Sequence, residues 1–204
     1  MITTQTIPQP ITYSEFLDWK PENRRYELHK GVIIEMQPLG KHEEISGFLT
    51  GELAFLFRQQ NLPYFIPKQA LVKVPEENTG YLPDVLVVNR NALGDEPLWQ
   101  KSSTLTKGTS IPLVIEVVSS NWRVDYLTKL RDYEEIGISE YWIVDYLGLG
   151  GSRYIGLPKQ PTISIYQLMG GEYQVEQFRD NDKIKSLNFS ELDLTANQIF
   201  QGQK

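Results

Sequence analysis

The spacing of hydrophobic and polar residues predicts helices that alternate with strands. Apolar residues recur at helical spacing across residues 43–59, which predicts an amphipathic helix. A second helix is predicted over residues 125–136, with Gly137 in the position of a C-terminal cap. Capping boxes at residues 12–15 and 195–198 predict a short helix near each end of the sequence.

Strands are predicted where apolar residues run or alternate between turn residues. Two hairpins are indicated, at residues 25–36 around His29-Lys30-Gly31 and at residues 162–178 around Met169-Gly170-Gly171. The single strands are predicted at residues 64–74, 82–88, 111–119 and 140–145. The polar segment 89–110 is interpreted as a loop. This order predicts an α/β (α+β) fold with a mixed central sheet flanked by helices.

Length and composition narrow the class of protein. The 204 residues, with charge spread evenly along them, predict a single domain over residues 1–204. The absence of cysteine excludes disulfides, thiolate zinc sites and a cysteine nucleophile. Because no apolar run of membrane-spanning length and no signal-peptide pattern is present, we expect a cytoplasmic protein without membrane contact. The net charge of -6 disfavours a protein that coats nucleic acid.

Two neighbouring strands each carry one carboxylate among apolar residues. These are Asp84, within residues 82–88, and Glu116, within residues 111–118. Strands that are apolar on both faces are usually buried on both faces, where an unpaired carboxylate is costly. We therefore expect the two acids to converge on a divalent cation, and oxygen ligands without thiolates favour Mg²⁺ or Mn²⁺. The alternative is that each acid lies at the end of its strand, near solvent or an arginine.

Lys129 lies on the helix that follows the Glu116 strand. Its ammonium group could therefore return to the end of that strand, where a cation assists metal-dependent phosphodiester hydrolysis by orienting water and balancing charge. The alternative is an ion pair along the helix with Asp125 or Asp132, and spacing alone favours that alternative.

The chain resembles the PD-(D/E)xK nuclease superfamily over about residues 12–200, and within it the bacterial Uma-two group of restriction endonucleases. The residues that carry the resemblance are Pro83-Asp84, residues 116–120, Asp125, Lys129, Tyr133, Gly137, residues 140–145, Tyr26-Glu27-Leu28, Gly31 and His42. Each motif is short, but their order and spacing together are specific.

The resemblance implies a restriction-endonuclease-like αβββαβ core, with the N-terminal and C-terminal hairpins added to it, and a metal-dependent site acting on DNA. It makes Asp84 the motif aspartate, Glu116 the second acid and the Val117 carbonyl an additional metal ligand. The superfamily lysine would stand two residues after the glutamate, where this chain has Val118. The resemblance therefore assigns the role of that lysine to Lys129.

Two further residues match the group without an assigned role. Glu27 is one, and His42 is the other; His42 also has a simpler interpretation as the first residue of a helix. Trp122 and Arg123 would stack on or neutralise a nucleic-acid strand, the alternative being packing at the rim of the site.

Other chemistries are poorly supported. The glycine-rich residues 147–151 lack the Lys-Ser/Thr of a phosphate-binding loop and are interpreted as a flexible connection. Two histidines, His29 and His42, leave little basis for a Ser-His-Asp triad.

Two functions therefore remain. The first is a metal-dependent endonuclease that cleaves DNA, where one divalent ion would offset Asp84 and Glu116 and so make the local field attractive. The second is a nuclease-fold module without catalysis that acts in binding or assembly, which Val118 and the acidic net charge motivate. By analogy with nucleases of this fold, a homodimer is expected, with residues 162–178 as an exposed edge for pairing.

Overall fold

The computed structural model describes residues 9–21, 24–37 and 39–203. Residues 1–8, in which the sequence shows no signal-peptide pattern, lie outside the described residues. The helices are α1 (Tyr13–Trp19), α2 (Gly40–Gln59), α3 (Trp99–Ser102), α4 (Leu130–Glu135), α5 (Ser152–Ile155) and α6 (Ala196–Gln201). The strands are β1 (Arg25–His29), β2 (Val32–Met36), β3 (Tyr64–Phe65), β4 (Leu71–Lys73), β5 (Gly80–Tyr81), β6 (Val85–Asn89), β7 (Thr104–Leu105), β8 (Leu113–Val117), β9 (Glu140–Asp145), β10 (Thr162–Met169) and β11 (Glu172–Phe178).

The strands form two mixed sheets flanked by helices, which confirms the predicted fold class. The first sheet has five strands in the order β2-β1-β5-β4-β7, and the second has six in the order β11-β10-β9-β8-β6-β3. The predicted strand 64–74 is divided between them, because β3 pairs with β6 whereas β4 pairs with β5 and β7. Pro67 lies in the interruption, where a residue without a backbone N–H cannot continue a ladder.

Both predicted hairpins are present. In the first, Lys30 and Gly31 have φ angles of 50° and 80°, as a two-residue turn of the primed type requires. A Cβ atom on Gly31 would lie 2.5 Å from the Cβ of Pro10, so glycine is needed at this position. The second hairpin, β10 with β11, places β11 at the edge of the second sheet.

The long helix α2 begins at Gly40, three residues before the predicted start, and covers one face of the second sheet. Ile45, Leu49 and Leu53 are fully buried in this contact. Phe55, another apolar residue of the predicted helix, is 57% exposed. It lies two residues after Leu53, and residues two apart on a helix do not share a face.

The segment predicted as a loop at 89–110 contains short elements, among them α3 and β7. Glu96 ties its two ends together, since its buried carboxylate accepts hydrogen bonds from the backbone N–H groups of Thr106 at 2.8 Å and Lys107 at 3.1 Å. Elements this short have no hydrophobic period that a sequence pattern could reveal.

The two faces of the second sheet pack against different partners. Odd-numbered residues of β8, such as Ile115 and Val117, belong to the apolar cluster under α2 and α6. Even-numbered residues, such as Val114, face Tyr81 of the first sheet and the helical segment that contains Tyr126. Glu116 has the same parity, so it points into the space between the sheets. In the described part of the chain, no helix has the length and apolar character needed to cross a membrane.

Candidate active site

Lys129 joins the two sheets at their buried contact. Its Nζ atom lies 2.9 Å from Oε1 of Glu27 on β1 and 3.0 Å from Oε1 of Glu116 on β8. All three side chains are at most 3% exposed. Lys129 therefore donates hydrogen bonds to acids on both sheets. The alternative of an ion pair with Asp132 along the helix is wrong, because Asp132 instead accepts hydrogen bonds from Tyr81 and Arg131.

The local backbone explains how Lys129 reaches this position. Residues 125–136 were predicted as one α-helix, but Val124–Lys129 form a π-helical turn that leads into α4. A π-helical turn holds more residues than an α-helical turn, and such turns frequently lie at functional sites. Asp125, Tyr126 and Lys129 all turn inward from this segment and are buried.

Glu27 is held by three donors. Its Oε1 accepts the Leu82 N–H at 3.0 Å as well as the Lys129 ammonium, and its Oε2 lies 2.7 Å from Nε2 of His29. Burial opposes ionisation of this carboxyl, but the charges and hydrogen bonds of Lys129 and His29 prevail and lower its pKa to about 2. Glu27 is therefore a carboxylate that fixes the position of Lys129.

At Glu116, the effects that raise the pKa of the carboxyl prevail over those that lower it. Its Oε1 accepts hydrogen bonds from Lys129 and from the Tyr133 hydroxyl at 2.9 Å. Burial, together with the nearby charges of Asp84, Glu27 and Asp125, raises the pKa of the Glu116 carboxyl well above its usual value in spite of Lys129.

Burial and the charges of neighbouring acids also act on Asp125. Burial is the largest cause, and with the charges of Asp84 and Glu27 it raises the pKa of the Asp125 carboxyl to about 7. Four acids thus crowd around one lysine. We call these five residues (Glu27, Asp84, Glu116, Asp125 and Lys129) the Lys129 centre.

Asp84 lies directly before β6, and its side chain is 4% exposed. Its Oδ2 accepts the Val117 N–H at 2.8 Å and lies 3.0 Å from Nε2 of His42, while Oδ1 lies 3.5 Å from Nη2 of Arg25. Asp84 therefore lies at the end of its strand near an arginine, which was the alternative to a metal ligand in the sequence analysis. That alternative does not describe Glu116, which lies within β8 and is buried.

His42 is the third residue of α2, not the first residue of a helix as its simpler interpretation expected, and its ring points to Asp84. Burial lowers the pKa of this imidazole, yet the hydrogen bond and charge of Asp84 outweigh burial and raise it above the usual value. Its Nδ1 atom is buried and has no hydrogen-bond partner among the described residues. The Nε2 contact therefore sets the orientation of the ring.

A cavity of about 480 Å³ opens over the Lys129 centre. Arg25, His29 and His42 contribute polar groups to its wall, and Ile34, Leu39 and Leu147 contribute apolar ones. His29 was not singled out from the sequence as a site residue. Its position two residues after Glu27 on β1 could have revealed it, because residues two apart on a strand share a face.

The donor set fits a hard divalent cation. Asp84 and Glu116 offer carboxyl oxygens, and the four acids of the Lys129 centre outnumber its one lysine. Within the described residues, no group of three or more His, Asp or Glu side chains could hold an ion alone. Mg²⁺ does not need one, because it is usually bound through one or two carboxylates and completed by water and phosphate oxygens.

The remaining sequence candidates lie near the centre with structural partners. Trp122 packs edge-on against Tyr126 and Tyr154, and the Arg123 guanidinium lies 4.7 Å from the centre of the Trp122 ring. Both side chains therefore have packing partners in the protein, which agrees with the alternative to nucleic-acid contact. The 147–151 connection is tied down, because Asp145 accepts the N–H groups of Leu149 at 2.9 Å and Gly150 at 2.7 Å.

Comparison with known proteins supports the fold and the family. A family model described as "Putative restriction endonuclease" matches residues 13–197. No curated protein matches significantly. Among solved structures, the chain is similar to one from Anabaena variabilis described as "a putative nuclease belonging to DUF820", with a TM-score of 0.71 and 18% identity over 95% of this chain and 99% of that one.

The structural likeness, at this identity, shows the fold. The family match covers most of the chain and confirms the resemblance found in the sequence. The chain belongs to the Uma2 family, whose description is "Putative restriction endonuclease".

Proposed function

We propose that the protein is a metal-dependent endonuclease that hydrolyses DNA phosphodiester bonds, with Asp84 and Glu116 as the acids that hold Mg²⁺ or Mn²⁺. The observation that carries the proposal is the 3.0 Å distance from Lys129 Nζ to Glu116 Oε1. It puts an ammonium group beside the second acid although position 118, where the superfamily has its lysine, is valine. Restriction-endonuclease-like proteins generally use divalent metals, which agrees with the acid pair.

Four of the five residues of the centre then have a role, all except Asp125. A bound Mg²⁺ or Mn²⁺ would supply Lewis acidity and lower the pKa of water. Lys129 balances the negative charge that develops at the phosphate, and Glu27 holds Lys129 in place from the other sheet. His42 and the Val117 N–H orient Asp84, and the Val117 carbonyl is proposed as a further ligand.

A phosphate that enters the cavity over the Lys129 centre would contact Arg25 on its wall. Arg25 is 25% exposed and reaches toward Asp84, so its guanidinium faces both the acid and solvent. With a net charge of -6, however, the protein has little general attraction for DNA. We therefore propose that DNA contact is weak and depends on the metal.

Cleavage assays test this proposal. The purified protein is incubated with Mn²⁺ and with single-stranded, double-stranded, nicked and branched DNA, beside Asp84→Ala and the control Asp95→Ala, which changes an exposed acid. We expect cleavage by the parent and the control and none by Asp84→Ala. Thermal unfolding adds a second readout, since Mn²⁺ should raise the Tm of the parent and leave that of Asp84→Ala unchanged. No cleavage of any of these DNAs would contradict the proposal.

A second candidate is a non-catalytic module with the nuclease fold. It is favoured by Val118 and by the lack, among the described residues, of three side chains that could enclose an ion. A crystal soaked in Mn²⁺ separates the two functions. An ion within about 2.0–2.6 Å of both Asp84 and Glu116 supports the nuclease. If the crystal shows no such ion and the protein binds DNA but does not cleave it, the result supports the module.

The expected homodimer stays a prediction. The β11 edge is available for pairing, since Val175 on it is 52% exposed. Sedimentation of the parent and of Val175→Lys would test it, because a lysine in a pairing edge opposes association.

A further inference from the structure

A second cavity, of about 420 Å³, lies away from the Lys129 centre. Tyr13 of α1, Lys73 of β4 and Lys101 of α3 line it. It is on the opposite face of the first sheet, because Tyr26 and Leu28 pack with Tyr13 whereas Glu27, between them, points to Lys129. A group bound in this cavity would therefore not be the phosphate held at Asp84 and Glu116.

Positive charge is concentrated in this cavity. Lys20, Lys73 and Lys101 line it with one acid, Asp18. None of the three lysines forms an ion pair with another described residue, whereas Lys30, Lys41, Lys183 and Lys185 each have an acidic partner. In a protein with a net charge of -6, three lysines around one cavity, without an ion pair in the described part of the chain, are opposite in sign to the overall charge.

The walls of the cavity add to this argument. Lys20 is partly buried, and burial lowers the pKa of its ammonium group. The Lys73 ammonium lies 5.6 Å from the centre of the Tyr13 ring. Leu17 and Leu98 provide apolar surface beside these cations. An anion in the cavity would offset the charge of Lys20 where water only partly does so.

We propose that this lysine cleft (Lys20, Lys73 and Lys101) binds the phosphate group of a nucleotide or of a nucleic-acid strand, as a site separate from the Lys129 centre. The terminal phosphates of a nucleotide carry more than one negative charge, and successive phosphodiester groups of a strand carry one each, so either ligand can engage two or three ammonium groups at once. The apolar walls suit the sugar or base attached to it. This site does not depend on the proposed nuclease activity.

Binding measurements without metal test the proposal. Isothermal titration calorimetry in chelator would use ATP, inorganic pyrophosphate and a short single-stranded oligodeoxynucleotide. The proteins are the parent, Lys73→Gln, Lys101→Gln, and the control Lys68→Gln, an exposed lysine outside both cavities and without an ion pair among the described residues. We expect about tenfold weaker binding for each cleft lysine removed and no change for the control. The Asp84→Ala variant should bind as the parent does, even if no nuclease activity is ever found.

The three ligands separate the possible sources of the phosphate. Binding of ATP and pyrophosphate that depends on Lys73 and Lys101 supports a nucleotide, and binding of the oligonucleotide alone with the same dependence supports a nucleic-acid strand. No binding of any ligand would overturn the proposal, as would equal loss in the cleft variants and in Lys68→Gln. Thermal unfolding confirms that each variant is folded.

Discussion

Glu116 and Glu140 are buried carboxylates on neighbouring strands of the second sheet, but they have different partners. Glu116 shares Lys129 with Glu27 and has Asp84 nearby. Glu140 accepts hydrogen bonds from neutral groups, namely the Trp142 indole at 2.6 Å, the Ser186 hydroxyl at 3.0 Å and the Asn188 N–H at 3.0 Å. Neither acid itself lines a cavity described above, but Glu116 contacts Lys129, which lines the first cavity.

Burial raises the pKa of both carboxyls, so burial does not distinguish them. The partners do. Neutral donors satisfy Glu140 and close the core around it, linking β9 to the segment near Asn188. At Glu116, one ammonium group is shared among several acids, which leaves negative charge that a cation can offset. The type of partner thus separates an acid that completes the core from an acid that we propose as a metal ligand.

The largest expected effect concerns cleavage of DNA. Glu116→Gln should lower the rate about a thousandfold, because it removes one of the two acids proposed to hold the ion. Glu140→Gln should leave the rate within about twofold at a temperature where the variant is folded. Initial rates with Mn²⁺ measure both. Similar losses in the two variants would show that the two acids do not differ in this way.

Removal of the shared cation should destabilise the protein most. Lys129→Met leaves Glu27 and Glu116 buried without their ammonium partner, and we expect a loss of about 4 kcal/mol in the free energy of unfolding. Urea denaturation measures it, with Lys68→Met as the control. The double variant with Glu27→Gln should recover part of the loss, since Glu27 is the partner of Lys129 whose carboxyl is ionised, and a larger loss in the double variant would contradict this reasoning.

Glu27 should make stability depend on pH in acid. Its pKa falls from 4.5 in the unfolded chain to about 2 in the folded one. The folded state therefore favours the ionised form, and the stabilisation is fully present above pH 4.5 and is lost as the pH falls toward 2. The difference in unfolding free energy between the parent and Glu27→Gln should shrink over this range by about 3 kcal/mol. A difference that stays constant with pH would exclude this role for Glu27.

The smallest effect is expected for the stability of Glu140→Gln. An amide in place of the carboxylate turns one acceptor into a donor that faces other donors, so we expect a loss of about 2 kcal/mol. Thermal unfolding measures it beside Glu172→Gln, an exposed position on β11. A change no larger than that of the control would mean that neutral donors do not fix Glu140.

The sequence was informative where a single residue broke a strong pattern. Asp84 and Glu116 were visible because each interrupts an apolar strand, and the hairpins and capping boxes were visible because their signals are local. The family match bears out the resemblance that these residues carried.

The features that join distant segments were not predictable from one sequence. The contact of Lys129 with Glu27 spans 102 positions in the chain, and no local pattern encodes it. The π-helical turn that directs Lys129 has no distinct hydrophobic period, so an α-helix was predicted there. The division of strand 64–74 between two sheets depends on which strands pair with each part, and that is decided by packing.

The bridge made by Lys129 between the two sheets also bears on the order of events during synthesis. The acid on β1 leaves the ribosome long before the lysine that pairs with it, so the complete set of charged groups exists only after both sheets have docked. A chain in which the two sheets have not docked would leave Glu27 and Glu116 without their shared ammonium group. The Lys129 centre is therefore complete only when the fold is complete.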